Sequence, residues 1–155
     1  MNKFILSLIL ITLVNNQVLA EANICHKLAR NSDWVTLLIK CQDRAIDYKD
    51  PIAAYILGYV FQNGVNVSQN PDSAIKWYSE ASNHGHVQAK MNLGVIFLKR
   101  GNITKSVGML LISQAAKLDH KPAIELLNRL KIHELKNPIP TAVGMEGYLY
   151  IINDY

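Results

Sequence analysis

"AAYILGYVFQNG", residues 53–64, is the stretch on which the fold turns. Ala53, Leu57, Val60 and Phe61 recur at helical spacing, so it reads as one helix with an apolar face. Gly58 stands in the middle of that helix, where glycine costs about 1 kcal/mol relative to alanine. A glycine is retained at such a place when a neighbouring element gains from the missing side chain.

Reading outward, Ala53, Leu57, Gly58 and Phe61 return as Ala89, Leu93, Gly94 and Phe97 at a constant shift of 36. At a shift of 34, Ala74 falls on Gly108, Trp77 on Leu111, Ala81 on Ala115, Gly85 on Asp119, His86 on His120 and Ala89 on Ala123. Such a period announces stacked helix pairs. The first A helix is predicted over 51–62, ended by Asn63-Gly64, and its B helix starts with Asn70 as cap and Pro71 as first residue. The second A helix is predicted over 87–100 and stopped by Gly101, with Thr104 capping a B helix that ends near Leu118. Pro122 opens a third A-type helix, which keeps Ala123 and Leu127 but has Asn128 in the glycine slot. Gly58, Gly94 and the alanines are expected to let neighbouring helices approach closely, while Leu57, Phe61 and Trp77 fill the space between them. His86 and His120 occupy equivalent turns and are expected to cap the helices that follow.

These residues follow the pattern A-x-x-x-L-G-x-x-[YF], a loop with V-x-x-[DN], then A-x-x-W-x-x-x-A and G-H-x-x-A. Here it runs through Ala53, Leu57-Gly58, Phe61, Val67, Asn70, Ala74, Trp77, Ala81, Gly85-His86 and Ala89. The pattern resembles the Sel-one-like repeat (SLR), a relative of the tetratricopeptide repeat. The likeness covers roughly residues 50–130; Asn66 stands where a loop glycine is usual, and Gly108 and Leu111 replace the alanine and tryptophan of the second B helix. The resemblance implies an all-α fold, a right-handed α-solenoid of antiparallel helix pairs with about three repeats. It also implies protein binding rather than catalysis.

The first twenty residues read as a signal peptide: Lys3, an apolar run from Phe4 to Val14, and small residues leading to cleavage after Ala20. The apolar run is too short for a membrane span, which needs about 20 residues. The expected division is 1–20 signal peptide, 21–49 a divergent N-terminal helix pair, 50–136 the repeats with a terminal helix, and 137–155 an apolar tail. Its first helix is expected over about 22–30, with Asn31 or Ser32 capping the next. Without Lys3 the formal charge falls from +4 to +3, too slight and too scattered for nucleic acid. The two cysteines, Cys25 and Cys41, read as a structural disulfide closing a loop of about 15 residues, worth on the order of 3 kcal/mol. Two free thiols or a metal pair are the alternatives. In the tail, Pro138 and Pro140 break helical structure and "YLYII" at 148–152 is apolar. It is expected to cover the open end of the array, with a place in the groove or on a partner as alternatives.

Signs of catalysis are missing from the sequence. There is no G-x-S-x-G, no phosphate loop and no paired-carboxylate layout. His84 and His86 in "HGH" supply only part of a metal site. Two Asn-x-Ser/Thr sequons, at Asn66 and Asn102, matter only if the exporting cell glycosylates. No catalytic residue, cofactor or metal is expected. The residues offset from the packing positions are Tyr55, Tyr59 and Gln62, then Met91, Val95 and Leu98, then Glu125 and Arg129. They either line a concave binding face or belong to the core. The expected function is a non-enzymatic, monomeric interaction module, periplasmic or secreted, with a protein partner, no nucleic acid and no membrane insertion after signal cleavage. The alternatives are a periplasmic immunity protein that neutralises a toxic effector and an enzyme acting on the cell wall or on β-lactams.

Overall fold

The computed structural model describes residues 24–101 and 104–136, with side chains through Lys131. The expected signal peptide, the tail 137–155 and the sequon at Asn102 lie outside the described residues. Seven helices follow one another, with no strand among the described residues. They are α1 (Ile24–Arg30), α2 (Trp34–Asp47), α3 (Pro51–Asn63), α4 (Pro71–Asn83), α5 (Val87–Arg100), α6 (Lys105–Lys117) and α7 (Lys121–Lys136). Each helix packs mainly on its neighbours in the chain, as in an α-solenoid.

The helix starts follow from short polar side chains. Asp50 accepts from the Ile52 and Ala53 amides at the start of α3, and Asn70 accepts from Ser73 at the start of α4, ahead of Pro71. His86 Nδ1 accepts from the Ala89 amide (3.2 Å) and His120 Nδ1 from the Ala123 amide (3.3 Å), so both histidines cap as expected. Two expected caps are corrected. Asp33, rather than Asn31 or Ser32, caps α2 by accepting from Thr36, because it is the residue one turn before the first free amides. Thr104 makes no cap for α6; its hydroxyl donates to the Phe97 and Gly101 carbonyls and closes the end of α5.

Turns show how other residues replace glycine. Gly64 ends α3 in the left-handed region, at φ 66°. Asn66, standing where the repeat usually has glycine, takes φ 55°, a conformation that asparagine tolerates. Asp119, equivalent to Gly85, takes φ 57°.

The small residues do what the repeat frame demands. A Cβ on Gly58 would lie 2.5 Å from Tyr78 Cδ1, so the α4 ring sits in the notch of α3. A Cβ on Gly94 would lie 2.9 Å from the Gly108 carbonyl oxygen, and one on Gly108 would lie 2.7 Å from that of Gly94. Helices α5 and α6 thus touch backbone to backbone at paired glycines. Tyr78, fully buried, joins Leu57 and Trp77 in filling the interior, while Phe61 is half-buried.

Two apolar clusters share α5. The first runs from Cys25 and Leu37 through Leu57 and Tyr78 to Leu93; the second joins Met91, Val95 and Leu98 to Ile112, Leu126 and Leu130. Cys25 and Cys41 are bonded, with Cα atoms 5.7 Å apart, and both lie buried in the first cluster. A disulfide points to an oxidising, exported environment. No described helix is long and apolar enough to cross a membrane.

Candidate functional site

A groove of about 240 Å³ crosses three successive A-type helices. Tyr55, Tyr59, Gln62 and Asn63 of α3 form one wall, Gln88, Met91, Asn92 and Val95 of α5 the other, and Pro122 at the start of α7 one end. The spacing 55-59-62-63 repeated as 88-91-92-95 is one face of each helix. The volume is below the roughly 300–1,000 Å³ of small-molecule sites, so it suits a few side chains of a larger ligand.

Aromatic stacking builds the floor. Tyr55 stacks on His86 with ring centroids 4.4 Å apart, and lies 5.9 Å from the Tyr78 ring behind it. Burial raises the Tyr55 and Tyr78 hydroxyl pKa values, and Asn92 beside them acts in the opposite direction. The Asn92 geometry falls short of a hydrogen bond with Tyr78, whose buried hydroxyl is left without a partner. Tyr59 is 50% exposed at the mouth and offers its ring to a ligand.

Amides continue the wall. Because His120 Nδ1 accepts from Ala123, the neutral ring carries its proton on Nε2 and donates it to Gln88 Oε1 at 2.8 Å. Gln88 Nε2 then donates to Asn92 Oδ1 at 2.9 Å. The cap of α7 is thereby tied to two groove amides. Across the groove, Gln62 Oε1 is buried with no hydrogen-bond partner, a costly state unless a ligand supplies a donor. His86 titrates below its ordinary value through burial first, then through His26 and His120; His120 does so through burial.

Of the residues singled out from sequence, Tyr55, Tyr59, Gln62, Met91 and Val95 come together here. Met91 and Val95 are buried and serve the second core cluster as well. Leu98 packs against Gly108 of α6, away from the lining. Glu125 is exposed on α7 and Arg129 is half-buried there, neither in the lining. Sequence reading missed Asn63, Gln88, Asn92 and Pro122. Gln88 and Asn92 were within reach of it, since they lie three residues before Met91 and one after on the same helical face.

The other histidines and hollows have separate roles. His84 Nε2 lies 3.3 Å from Glu80, while His86 caps and stacks, so "HGH" holds two unrelated contacts. No group of three or more His, Cys, Asp or Glu among the described residues is placed to hold a metal. A larger hollow of about 420 Å³ lies over Lys40, Asp43, Arg44 and Asp47, but Arg44 is already paired with Asp50 at 2.8 Å. Ile24 and Tyr48 complete its described lining.

The family model for the Sel1 repeat matches residues 51–86, which span α3, α4 and the His86 cap. Comparison with curated proteins and with solved structures gives no match. Sel1 repeats generally mediate protein–protein interaction and are typically non-enzymatic modules. Residues 51–86 form a Sel1 repeat, and the run of packed helices around it is consistent with a Sel1-like helical repeat protein.

Proposed function

We propose that this protein is a non-enzymatic interaction module that acts after export and holds a segment of a partner protein in the groove between α3, α5 and α7. One observation carries the reading: among the described residues, the lining has aromatic rings and amides but no Asp, Glu, Lys or Arg. Uncharged amides pair with either a peptide N–H or a peptide C=O, and Tyr59 supplies apolar area at low entropic cost. The site therefore suits an extended, uncharged stretch of polypeptide. The Cys25–Cys41 bond and the leader-like first twenty residues support a periplasmic or secreted setting.

The test is capture from envelope extract by the full chain, followed by mass spectrometry and affinity measurement. Tyr59→Ala is expected to weaken the captured partner at least tenfold and leave helix content unchanged. One stoichiometric toxin-like partner would identify neutralisation as the purpose; several envelope proteins would identify a scaffold. Undiminished capture by Tyr59→Ala and by Asn63→Ala would refute the groove.

A further inference from the structure

We infer that His120 is a positioning residue for partner recognition: it locks the Gln88 and Asn92 amides so that the α5 wall of the groove offers a hydrogen-bond donor and reads a carbonyl of the partner's backbone. The inference rests on the groove reading and narrows what that wall selects. It starts from the repeat frame. At the shift of 36, the equivalents of Gln88 and Asn92 on α3 are Ile52 and Ile56; at the shift of 34, those on α7 are Pro122 and Leu126. Ile56 and Leu126 are buried. The architecture therefore asks for apolar side chains at both places, and of these three helices α5 alone carries amides there. An amide in an apolar place costs free energy unless it is hydrogen-bonded. The pair, and the residue that holds it, serve something other than packing.

The hydrogen bonds run one way. His120 Nδ1 is taken by the Ala123 amide, so on the neutral ring, the form that burial favours, the proton sits on Nε2. That proton goes to Gln88 Oε1 and fixes which end of the Gln88 amide faces the ring. Gln88 Nε2 is left for Asn92 Oδ1, with Met91 Sδ 4.0 Å away. Asn92 then has Nδ2 still to use. Its two hydrogens are enough for the tyrosine hydroxyls behind it and for a group entering the groove. The lowering effect of Asn92 on the Tyr55 and Tyr78 hydroxyls is that of a donor, as Nδ2 is. A wall that ends in a donor selects an acceptor, and on an uncharged extended polypeptide that is a carbonyl oxygen. His86 shows that capping does not require the relay. It also caps through Nδ1, but the residue 32 before it is Ala54, which has no side-chain acceptor, and its ring stacks on Tyr55 instead. Capping accounts for Nδ1 of both histidines; it does not account for the use of Nε2 in His120.

NMR of the full chain tests this with two neutral probes: N-methylacetamide, which has an N–H, and N,N-dimethylacetamide, which has none. The titrations are made at about pH 8, well above the ordinary histidine pKa of about 6.5. Both probes are expected to shift the Asn92 side-chain amide signals of the wild-type protein with similar affinity, because the carbonyl is what the wall reads. His120→Asn keeps an oxygen to cap α7, as Asn70 caps α4, but is too short to reach Gln88. Its Gln88 and Asn92 side-chain signals are expected to move toward those of free amides, and dimethylacetamide binding to weaken about tenfold, the worth of one hydrogen bond. Gln88→Glu alters no cap and reverses the relay. A carboxylate has no hydrogen to give Asn92, which then turns Nδ2 toward it and Oδ1 toward the groove. This variant is expected to keep N-methylacetamide and lose dimethylacetamide, and it decides the matter if the α7 amides of His120→Asn lose protection. The inference alone is overturned if both probes bind the wild type and Gln88→Glu binds them with unchanged preference, or if the Asn92 signals of a fully capped His120→Asn stay where they were. If neither probe moves a groove signal in the wild type, the groove reading falls and this inference with it.

Discussion

At the scale of single residues, the glycine notches set the spacing of the helices. Gly94→Ala and Gly108→Ala would each gain about 1 kcal/mol of helix propensity. The new methyl would meet a carbonyl oxygen at 2.9 Å and 2.7 Å respectively, and backbone cannot swing aside as a side chain can. Overpacking of this kind costs about 1–3 kcal/mol. Both variants are therefore expected to be less stable in urea denaturation, and a stabilised variant would show that α5 and α6 can part freely. The notches themselves were legible, because two glycines in matched frames are hard to explain otherwise. Their occupants were not. Trp77 and Tyr78 are adjacent large rings, and only the crossing of α4 over α3 decides that Tyr78 enters the Gly58 notch. Leu98 shows the same limit. By repeat position it matches Gln62, yet the glycine at 108 brings α6 over it and removes it from the groove.

At the scale of elements, two helix starts depend on neutral histidine. His86 and His120 cap α5 and α7 through a ring nitrogen that accepts, and protonation turns that nitrogen into a donor facing an amide N–H. A cation at a helix N-terminus is also opposed by the helix dipole. Both histidines have pKa values lowered by burial. In the unfolded chain they take up protons near the ordinary pKa of about 6.5, while the folded chain resists. Their contribution to stability is therefore complete above about pH 6.5 and is lost as pH falls below it. Thermal midpoints are expected to drop between neutral pH and mildly acidic pH. His86→Asn, a cap that does not titrate, is expected to flatten part of that slope; an unaltered slope would assign the effect to other groups. Helix α1 depends on a different device. Seven residues are too few for a stable helix alone, and the Cys25–Cys41 bond holds it to α2 across a separation of 16. Cys41→Ser is expected to cost about 3 kcal/mol and to speed amide exchange first at residues 24–30. Loss of protection elsewhere before α1 would contradict this.

At the scale of the whole molecule, the array is held by neighbours rather than by one central core. The first cluster ends on α5 at Leu93, and the second begins on the same helix at Met91, Val95 and Leu98. Stability in such a stack is close to a sum of units and their interfaces, so damage should stay local. Leu126 is fully buried in the second cluster, and Leu126→Ala is expected to cost about 2–5 kcal/mol. Hydrogen exchange in this variant is expected to accelerate in α6 and α7, with α2 to α4 keeping their protection. Leu37→Ala, fully buried at the other end, should produce the mirror image. Because α5 carries one face of each cluster and one wall of the groove, the two variants should converge on the groove from opposite sides. Both should weaken partner capture, although neither side chain lines it. If either substitution loosens every helix alike, α5 transmits unfolding rather than dividing it, and the stack behaves as a single cooperative body.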